Sequence, residues 1–251
     1  ILKISEDRKR ENRGRITRSA VDAMTEKGVK GATMREIARA AELGDATIYN
    51  YFPTKEAIIH AYYEDLLADC AERVKAIPDF ADYDLREQLQ AFFDTLLEAF
   101  LPDREFVANT FGTMAFSLAA DYQLLRPLRA RFFRIVADMF QGAVTAGEIP
   151  EQAFQELTCQ CFWDYFIGMV LYWIRDRSEH FQNTTVLIDK SLDLAMGFIR
   201  ADILNKAMDM ASFFFRNHIM SRLDMFRDRM DTLQVKKPSA GGRRGRRHSE
   251  K

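Results

Sequence analysis

The sequence is poor in the residues that build disulfide-rich or metal-binding proteins. It has three cysteines and four histidines in 251 residues, and the histidines lie too far apart to form a metal site by sequence spacing. Cys159 and Cys161 are close, but two positions apart on a helix they point to different faces. We therefore expect no metal site and no disulfide framework, which favours a reducing compartment and a cytoplasmic protein. Residues 1–10 hold no apolar stretch of the kind that a secretory signal needs.

Long apolar runs and catalytic motifs are also absent from the sequence. The most apolar run, Cys159 to Ile174, is shorter than the roughly 20 residues that span a bilayer. Asp164 within this run would cost about 2.5–3.5 kcal/mol at the membrane centre, so we predict a buried helix and no membrane insertion. No Gly-rich phosphate loop and no nucleophile elbow occurs. We accordingly expect neither an enzyme nor a cofactor.

The spacing of apolar residues predicts an all-α protein. Apolar residues recur at intervals of three and four, and no sustained alternation typical of strands occurs. Five prolines fall at rather even intervals, and we interpret them as positions where one helix ends and the next begins: Pro53, Pro78, Pro102, Pro127 and Pro150. Helices are predicted at roughly 7–27, 34–41, 45–52, 55–76, 83–101, 104–119, 122–146, 152–178, 184–204 and 206–233.

The formal net charge of −1, taken alone, argues against a nucleic-acid partner. The charge is unevenly distributed, however: residues 1–55 carry +4, residues 56–233 carry −11 and residues 234–251 carry +6. A basic segment joined to an acidic one is typical of a polyanion-binding part attached to another domain, although charge segregation is also common without that function. The last segment, rich in glycine and arginine, is predicted to be a disordered basic tail.

A helix-turn-helix pattern lies in the first basic segment. Thr33 is a natural N-cap, and Glu36 three residues later completes the spacing of a capping box. After a short turn, a second helix of about two turns is predicted from Asp45 to Phe52. Its Ile48 and Phe52 are four residues apart and face inward, which leaves small polar residues outward. Two short helices with this arrangement are typical of proteins that enter the DNA major groove.

The run from Thr33 to Ile58, TMREIARAAELGDATIYNYFPTKEAI, resembles the DNA-binding signature of the TetR family of bacterial transcriptional regulators. Its strongest part is Thr47 to Phe52 with Lys55 following at the family's offset. The resemblance implies an N-terminal helix-turn-helix domain, followed by a larger helical domain that binds an effector and dimerises. We therefore predict domains at 1–55 and 56–233, with the tail at 234–251 and an extra C-terminal helix at 206–233.

Three positions depart from the family pattern. The family often has Gly where Glu42 stands, a hydroxyl residue at Gly44, and Gly or Pro at Ala46. Glu42 places a negative charge in the turn, at a position where family members prefer a residue that adopts positive φ. These departures bear on the DNA sequence preference more than on the fold.

The resemblance assigns the candidate DNA contacts. Backbone contacts are expected from Thr33, Tyr49, Tyr51 and Lys55, and base contacts from Arg35, Asn50 and Thr47. The alternative for the two tyrosines is core packing, and for Asn50 it is a solvated helix face. The basic residues from Arg8 to Arg15 either attract phosphates or only solubilise the chain.

The larger domain is rich in aromatic residues, which favours a small hydrophobic or aromatic effector, with an acyl chain as one option. The candidate pocket residues are Phe100, Asn109, Phe111, Met114, Trp163, Phe166, Met169 and Trp173. For each of them the alternative is an ordinary place in the helical core. The triplet Phe213 to Phe215, at the start of the extra helix, is also expected to be buried.

The resemblance further implies a homodimer formed by the helices at 152–178 and 184–204. Leu187, Ser191, Leu194 and Phe198 lie on one stripe of the second helix. We therefore predict a ligand-responsive repressor that binds a palindromic double-stranded DNA operator as a homodimer. The alternative is a helical interaction module that docks a protein or membrane surface through its aromatic C-terminal helices.

Overall fold

The computed structural model of the protein describes residues 6–115 and 122–220. Within those ranges the chain forms helices and no strand, which confirms the predicted all-α fold. The α-helices are α1 (Glu6–Gly31), α2 (Met34–Ala40), α3 (Lys55–Lys75), α4 (Leu85–Phe100), α5 (Arg104–Ala115), α6 (Tyr122–Thr145), α7 (Gln155–Arg175), α8 (Gln182–Arg200) and α9 (Ile203–Phe214). Short 3₁₀ turns occur at Ile48–Asn50, Phe80–Asp82, Leu101–Asp103 and Glu179–Phe181.

Side-chain caps fix where α3 and α4 begin. The hydroxyl of Thr54 accepts the backbone N–H of Ala57 at the start of α3. Asp84 and Glu87 form a reciprocal capping box at the start of α4. Such caps satisfy amide groups that the first helical turn leaves without partners. Pro127 is an exception to the predicted positions between helices because it lies inside α6, where it removes one main-chain hydrogen bond near the start of the helix.

The second element of the helix-turn-helix is shorter than predicted. In place of two α-helical turns over 45–52, a turn leads into the single 3₁₀ turn Ile48–Asn50. The amide of Thr47 donates to the carbonyl of Gly44 at 2.8 Å, and the amide of Asn50 donates to Thr47 at 3.0 Å. The segment therefore winds with three-residue spacing from its start, which is tighter than an α-helix. The predicted inward positions are correct, since Ile48 and Phe52 are both buried.

One continuous hydrophobic core extends from Ile16 on α1 to Met196 on α8. Helix α3 packs against α4 and α6, helix α6 packs against α7, and α5 lies between α1 and α7. This arrangement places the end of α1, the start of α3 and the second half of α5 next to one another. The chain divides into two compact units, residues 1–202 and residues 203–251.

The second unit is described as far as residue 220 and consists of α9 and the π-helical turn Phe215–Met220. The expected burial of Phe213, Phe214 and Phe215 is wrong for the single chain, because each side chain is more than half exposed. Successive helical residues point about 100° apart, so no single neighbour covers all three. The rest of the predicted helix at 206–233, and the tail at 234–251, lie outside the described residues.

Candidate nucleic-acid interface and cavities

The start of α2 is held by a reciprocal capping box. The amide of Glu36 donates to Oγ1 of Thr33 at 3.2 Å, and the amide of Thr33 donates to Oε2 of Glu36 at 3.0 Å. The ammonium of Lys27 donates to the same carboxylate at 2.9 Å, and this contact together with Thr33 lowers the pKa of Glu36 to about 2. Thr33 and Arg35 are both exposed at this helix start, where amides and a hydroxyl are available to a phosphate.

The 3₁₀ turn presents two candidate contacts to solvent. Tyr49 is 52% exposed and Asn50 is exposed, while Ile48 beneath them is fully buried. Tyr49 is therefore not part of the core. Tyr51 is half-buried, and its hydroxyl accepts a hydrogen bond from Nδ2 of Asn12 on α1 at 2.9 Å. This bond fixes the ring of Tyr51 between α1 and the turn.

Lys55 is turned toward the end of α1. Its ammonium donates to the carbonyl of Ala32 at 2.7 Å and also to the carbonyl of Val29. An ammonium has three donors, so one remains for a phosphate. The structure thus adds a role that the sequence did not indicate: Lys55 satisfies carbonyl groups where α1 ends.

A groove of about 580 Å³ lies between α1 and the 3₁₀ turn Ile48–Asn50, which we call the recognition turn. Sequence reasoning did not predict this groove. Its lining comes from Glu6, Lys9, Arg10, Arg13, Thr47, Asn50 and Tyr51. The guanidinium of Arg13 lies 4.9 Å from the ring centroid of Phe52 and 3.8 Å from the carboxylate of Asp65. Lys9, Arg10 and Arg13 of α1 therefore lie beside the residues predicted to contact DNA. We call this the basic groove of α1, and its positive side chains suit a polyanion such as DNA.

The turn between α2 and the 3₁₀ turn has an unusual conformation at Glu42. Its φ is 54°, in the left-handed region that favours glycine. Arg15 donates to the carbonyl of Ala41 and pairs with the Glu42 carboxylate at 3.1 Å. The pair is largely exposed, and exposed pairs contribute little to stability. The sequence expectation of positive φ at this position agrees with the structure.

Glu42→Gly is expected to raise the free energy of unfolding by about 0.5–1 kcal/mol, because glycine adopts positive φ without the strain that a Cβ causes. Urea unfolding monitored by circular dichroism measures this difference. Glu42→Ala is the control, since it removes the ion pair with Arg15 but keeps a Cβ at the strained position. A stabilisation of equal size in both variants would show that charge, and not backbone strain, determines the effect.

Six of the predicted pocket residues lie in the packed core. Phe100, Phe111, Trp163, Phe166, Met169 and Trp173 are all buried. The space among the rings of Phe100, Phe111 and Phe166 is about 10 Å³, which is at the lower limit for one water molecule. In the structure these side chains pack closely in the core. Their role as ligand contacts therefore stays a prediction.

The two remaining predicted residues, Asn109 and Met114, line a separate cavity of about 560 Å³. This cavity, which we call the junction cavity, lies between the end of α1, the start of α3 and the second half of α5. Gly28, with a φ of 73°, kinks α1 beside it. The lining residues come from three separate parts of the sequence. Gly28, where α1 kinks, is a local sequence feature that coincides with the cavity.

Among the residues that the structure describes, no group of three or more His, Cys, Asp or Glu side chains is placed to bind a metal ion. Their helices also include none that combines the length and the apolar character needed to cross a membrane.

A capped helix, a tight turn and an exposed segment after it, attached to a larger helical body, define a helix-turn-helix protein. Two family models match the chain: "Bacterial regulatory proteins, tetR family" over residues 16–62, and "Tetracyclin repressor-like, C-terminal domain" over residues 88–214. The chain therefore belongs to the TetR family of bacterial transcriptional regulators, which confirms the resemblance found in the sequence.

A curated relative, the uncharacterized HTH-type transcriptional regulator YvdT of Bacillus subtilis, is 33% identical over 61 residues. The match covers 24% of this chain and 31% of the relative, so the chain spans about a third of that relative's length. The family assignment therefore depends on the two models, and the relative adds support for the helix-turn-helix type.

Solved structures share the fold at low sequence identity. The TetR-family repressor FadR of Thermus thermophilus, in complex with lauroyl-CoA, is 22% identical with a TM-score of 0.58, covering 72% of this chain and 92% of that one. FadR of Bacillus subtilis, in complex with stearoyl-CoA, is 21% identical with a TM-score of 0.59, covering 72% and 96%. A putative TetR-family regulator from Syntrophomonas wolfei is 19% identical with a TM-score of 0.63, covering 74% and 95%. At these identities the likeness shows the fold alone.

Proposed function

We propose that the protein is a ligand-responsive repressor that binds a palindromic operator as a homodimer in the cytoplasm. The observation that carries the DNA-binding part is the recognition turn, where Tyr49 and Asn50 are exposed over buried Ile48, beside the basic groove of α1. Phosphate contacts position such a protein, and base contacts determine its sequence preference. In this proposal residues 1–55 form the DNA-binding domain and residues 56–233 form the effector-binding and dimerisation domain.

The exposed stripe of α8 supports the homodimer. Leu187, Leu194 and Phe198 are exposed apolar side chains on this helix, and Leu194 is 63% exposed. Ser191, predicted on the same stripe, is instead turned inward and hydrogen-bonds Tyr165 at 2.8 Å. Packing this stripe against its copy would bury large apolar side chains. A two-fold dimer would then bring two recognition turns to successive major grooves, about 34–36 Å apart.

The effector is proposed to be a small hydrophobic or aromatic molecule, with an acyl compound among the options. Two structures with this fold, the FadR proteins, hold lauroyl-CoA and stearoyl-CoA. Effector binding can release DNA only if the effector has different affinities for the bound and the free conformation. Helix α3 starts at Lys55 beside the DNA-binding residues and continues into the core of the larger domain, so it is suited to transmit the change.

Selection of bound DNA from a random pool tests this function. We expect the selected sequences to converge on a palindrome, with an affinity that falls steeply as salt increases. Convergence on a sequence without two-fold symmetry would contradict the dimer. Binding to liposomes or to a protein without any DNA binding would favour a helical interaction module instead.

Two substitutions on the recognition turn separate phosphate contacts from base contacts. Tyr49→Phe is expected to weaken binding to all duplexes alike by about fivefold, because it removes a hydroxyl that reaches a phosphate. Asn50→Ala is expected to alter the preference among operator variants, by about 1–3 kcal/mol at one base pair. Fluorescence anisotropy with the selected operator and its single-base variants measures both effects. If neither variant changes operator affinity, the assignment of this turn to the groove is wrong.

A further inference from the structure

The junction cavity has a buried floor and an exposed rim. Ile59 and His60 of α3 and Thr110 and Met114 of α5 form the floor, and all four are buried. The rim is exposed and polar, with Lys30 from α1, Glu56 from α3 and Thr113 from α5 among its members. A cavity of about 560 Å³ falls within the range that holds small organic ligands. Its lining therefore suits a molecule with one apolar and one polar end.

The charges of the lining favour an anionic polar end. The lining includes two lysines, Lys27 and Lys30, and one carboxylate, that of Glu56. Lys27 already pairs with Glu36 at 2.9 Å. The ammonium of Lys30 makes no ion pair and no hydrogen bond with residues in the described parts of the chain. Lys30 is thus the cation that a ligand carboxylate or sulfonate would meet, while Glu56 would oppose it.

The cavity lies where the DNA-binding residues join the larger domain. α1 carries the basic groove, and its last turns form one wall of the cavity. Below the cavity, Thr110 hydrogen-bonds the hydroxyl of Tyr63 at 2.7 Å, and the ring of Tyr63 contacts Phe100 and Phe111. A ligand here would touch α1, α3 and α5 together. It would therefore bias the position of α1 relative to the core without opening the packed aromatic cluster.

A second contact crosses the same junction, beside the apolar packing of α1 on the core. Asp103, before α5, accepts hydrogen bonds from Arg18 of α1 at 2.8 Å and from Tyr62 of α3 at 3.1 Å. These three groups join the same three parts of the molecule as the cavity does. A wedge at the cavity end of α1 would shift the helix about this contact.

We propose that the junction cavity binds a compact organic anion with an apolar body, and that this ligand is an effector of DNA binding. The apolar body lies on Ile59 and Met114, and the anionic group lies at the rim beside Lys30. This proposal rests on the proposed repressor function, since it names the site and the ligand class through which DNA binding is controlled.

The probe for the test is anilinonaphthalenesulfonate, whose apolar rings carry one sulfonate and whose fluorescence increases on apolar burial. We expect saturable binding of one probe per chain of the full-length protein. Thr113→Trp places a large ring at the exposed rim and is expected to weaken probe binding about tenfold or more. Ala108→Trp is the matched control, because Ala108 is exposed on the same helix but does not line the cavity.

Charge variants test the ligand class. Lys30→Gln is expected to weaken probe binding, and Glu56→Gln to strengthen it, each by about threefold to fivefold, as for exposed charges. Lys75→Gln, at the far end of α3, is the control and is expected to leave binding unchanged. Phenylnaphthylamine, the neutral analogue of the probe, should respond to neither charge variant. Equal effects on the neutral analogue would overturn the assignment of an anionic ligand.

The decisive outcomes concern the site itself. Unchanged probe binding by Thr113→Trp, or the absence of saturable binding in the unsubstituted protein, would overturn the proposal. Support requires that the probe lowers operator affinity of the unsubstituted protein and of Ala108→Trp, but not that of Thr113→Trp. If no DNA is selected from the random pool, the repressor function fails, and the fluorescence titrations still decide whether the cavity is a ligand site.

Discussion

Leu194→Arg on α8 is expected to convert the protein into a monomer and to lower its operator affinity about 100-fold. Leu194 is 63% exposed in the single chain, so arginine there costs little in folding. At the centre of a self-packed stripe, however, two copies would bring like charges together and expose the surrounding apolar side chains. A monomer holds one half-site alone, and losing the second, linked contact typically reduces affinity by two or more orders of magnitude. Sedimentation velocity and operator titration measure the two effects.

Leu101→Arg is the matched control for this substitution. Leu101 is also an exposed leucine, but it lies in the short turn between α4 and α5 and not on α7 or α8. We expect this variant to remain dimeric and to bind the operator normally. If the Leu194→Arg protein stays dimeric, the dimer interface does not lie on this stripe of α8. If it is a monomer that keeps full operator affinity, the proposal that two linked subunits bind a palindromic operator is wrong.

The fold was largely predictable because local signals determine most of it. The cap at Thr33 with Glu36 and the spacing of Ile48 and Phe52 each specify a start or an inward face within a few residues of sequence. The predicted limits of α2, α3, α4, α7 and α8 differ from the observed ones by a few residues. What periodicity could not show is the tightness of winding at Ile48–Asn50, because a segment this short has too few apolar positions to separate a repeat of about 3.0 residues from one of about 3.6.

The candidate site was less predictable because it depends on contacts between distant residues. Lys55 matches the family pattern, yet the hydrogen bond to Ala32, 23 residues earlier, is visible only in three dimensions. The junction cavity likewise brings together Lys30, His60 and Thr113, which no single periodic segment contains. The sequence shows that the larger domain is rich in aromatic residues, but composition cannot separate a ligand pocket from a packed core.

Phe166→Ala is expected to lower the free energy of unfolding by about 3–5 kcal/mol, as large-to-small substitutions of buried aromatic residues do. Phe166 is 4% exposed, and its ring centroid lies 5.8 Å from that of Phe111, 5.3 Å from that of Phe132 and 5.7 Å from that of Trp163. The substitution removes these contacts and leaves a cavity that rigid neighbours cannot fill. Urea unfolding measures the loss, and added benzene should restore part of it by occupying the new space.

Asn109→Ala provides the comparison, because Asn109 belongs to the same predicted pocket set but is exposed on the junction cavity. We expect it to change the free energy of unfolding by less than about 0.5 kcal/mol. The aromatic residues would line an open ligand pocket if Phe166→Ala cost under about 1 kcal/mol, because no tightly packed neighbours would then lose contacts. A large decrease in the free energy of unfolding for Phe166→Ala, with none for Asn109→Ala, would mean that an effector can reach these rings only if the packed core opens, which costs free energy. A ligand at the junction cavity would not face that cost, so the two substitutions together rank the two locations as effector sites.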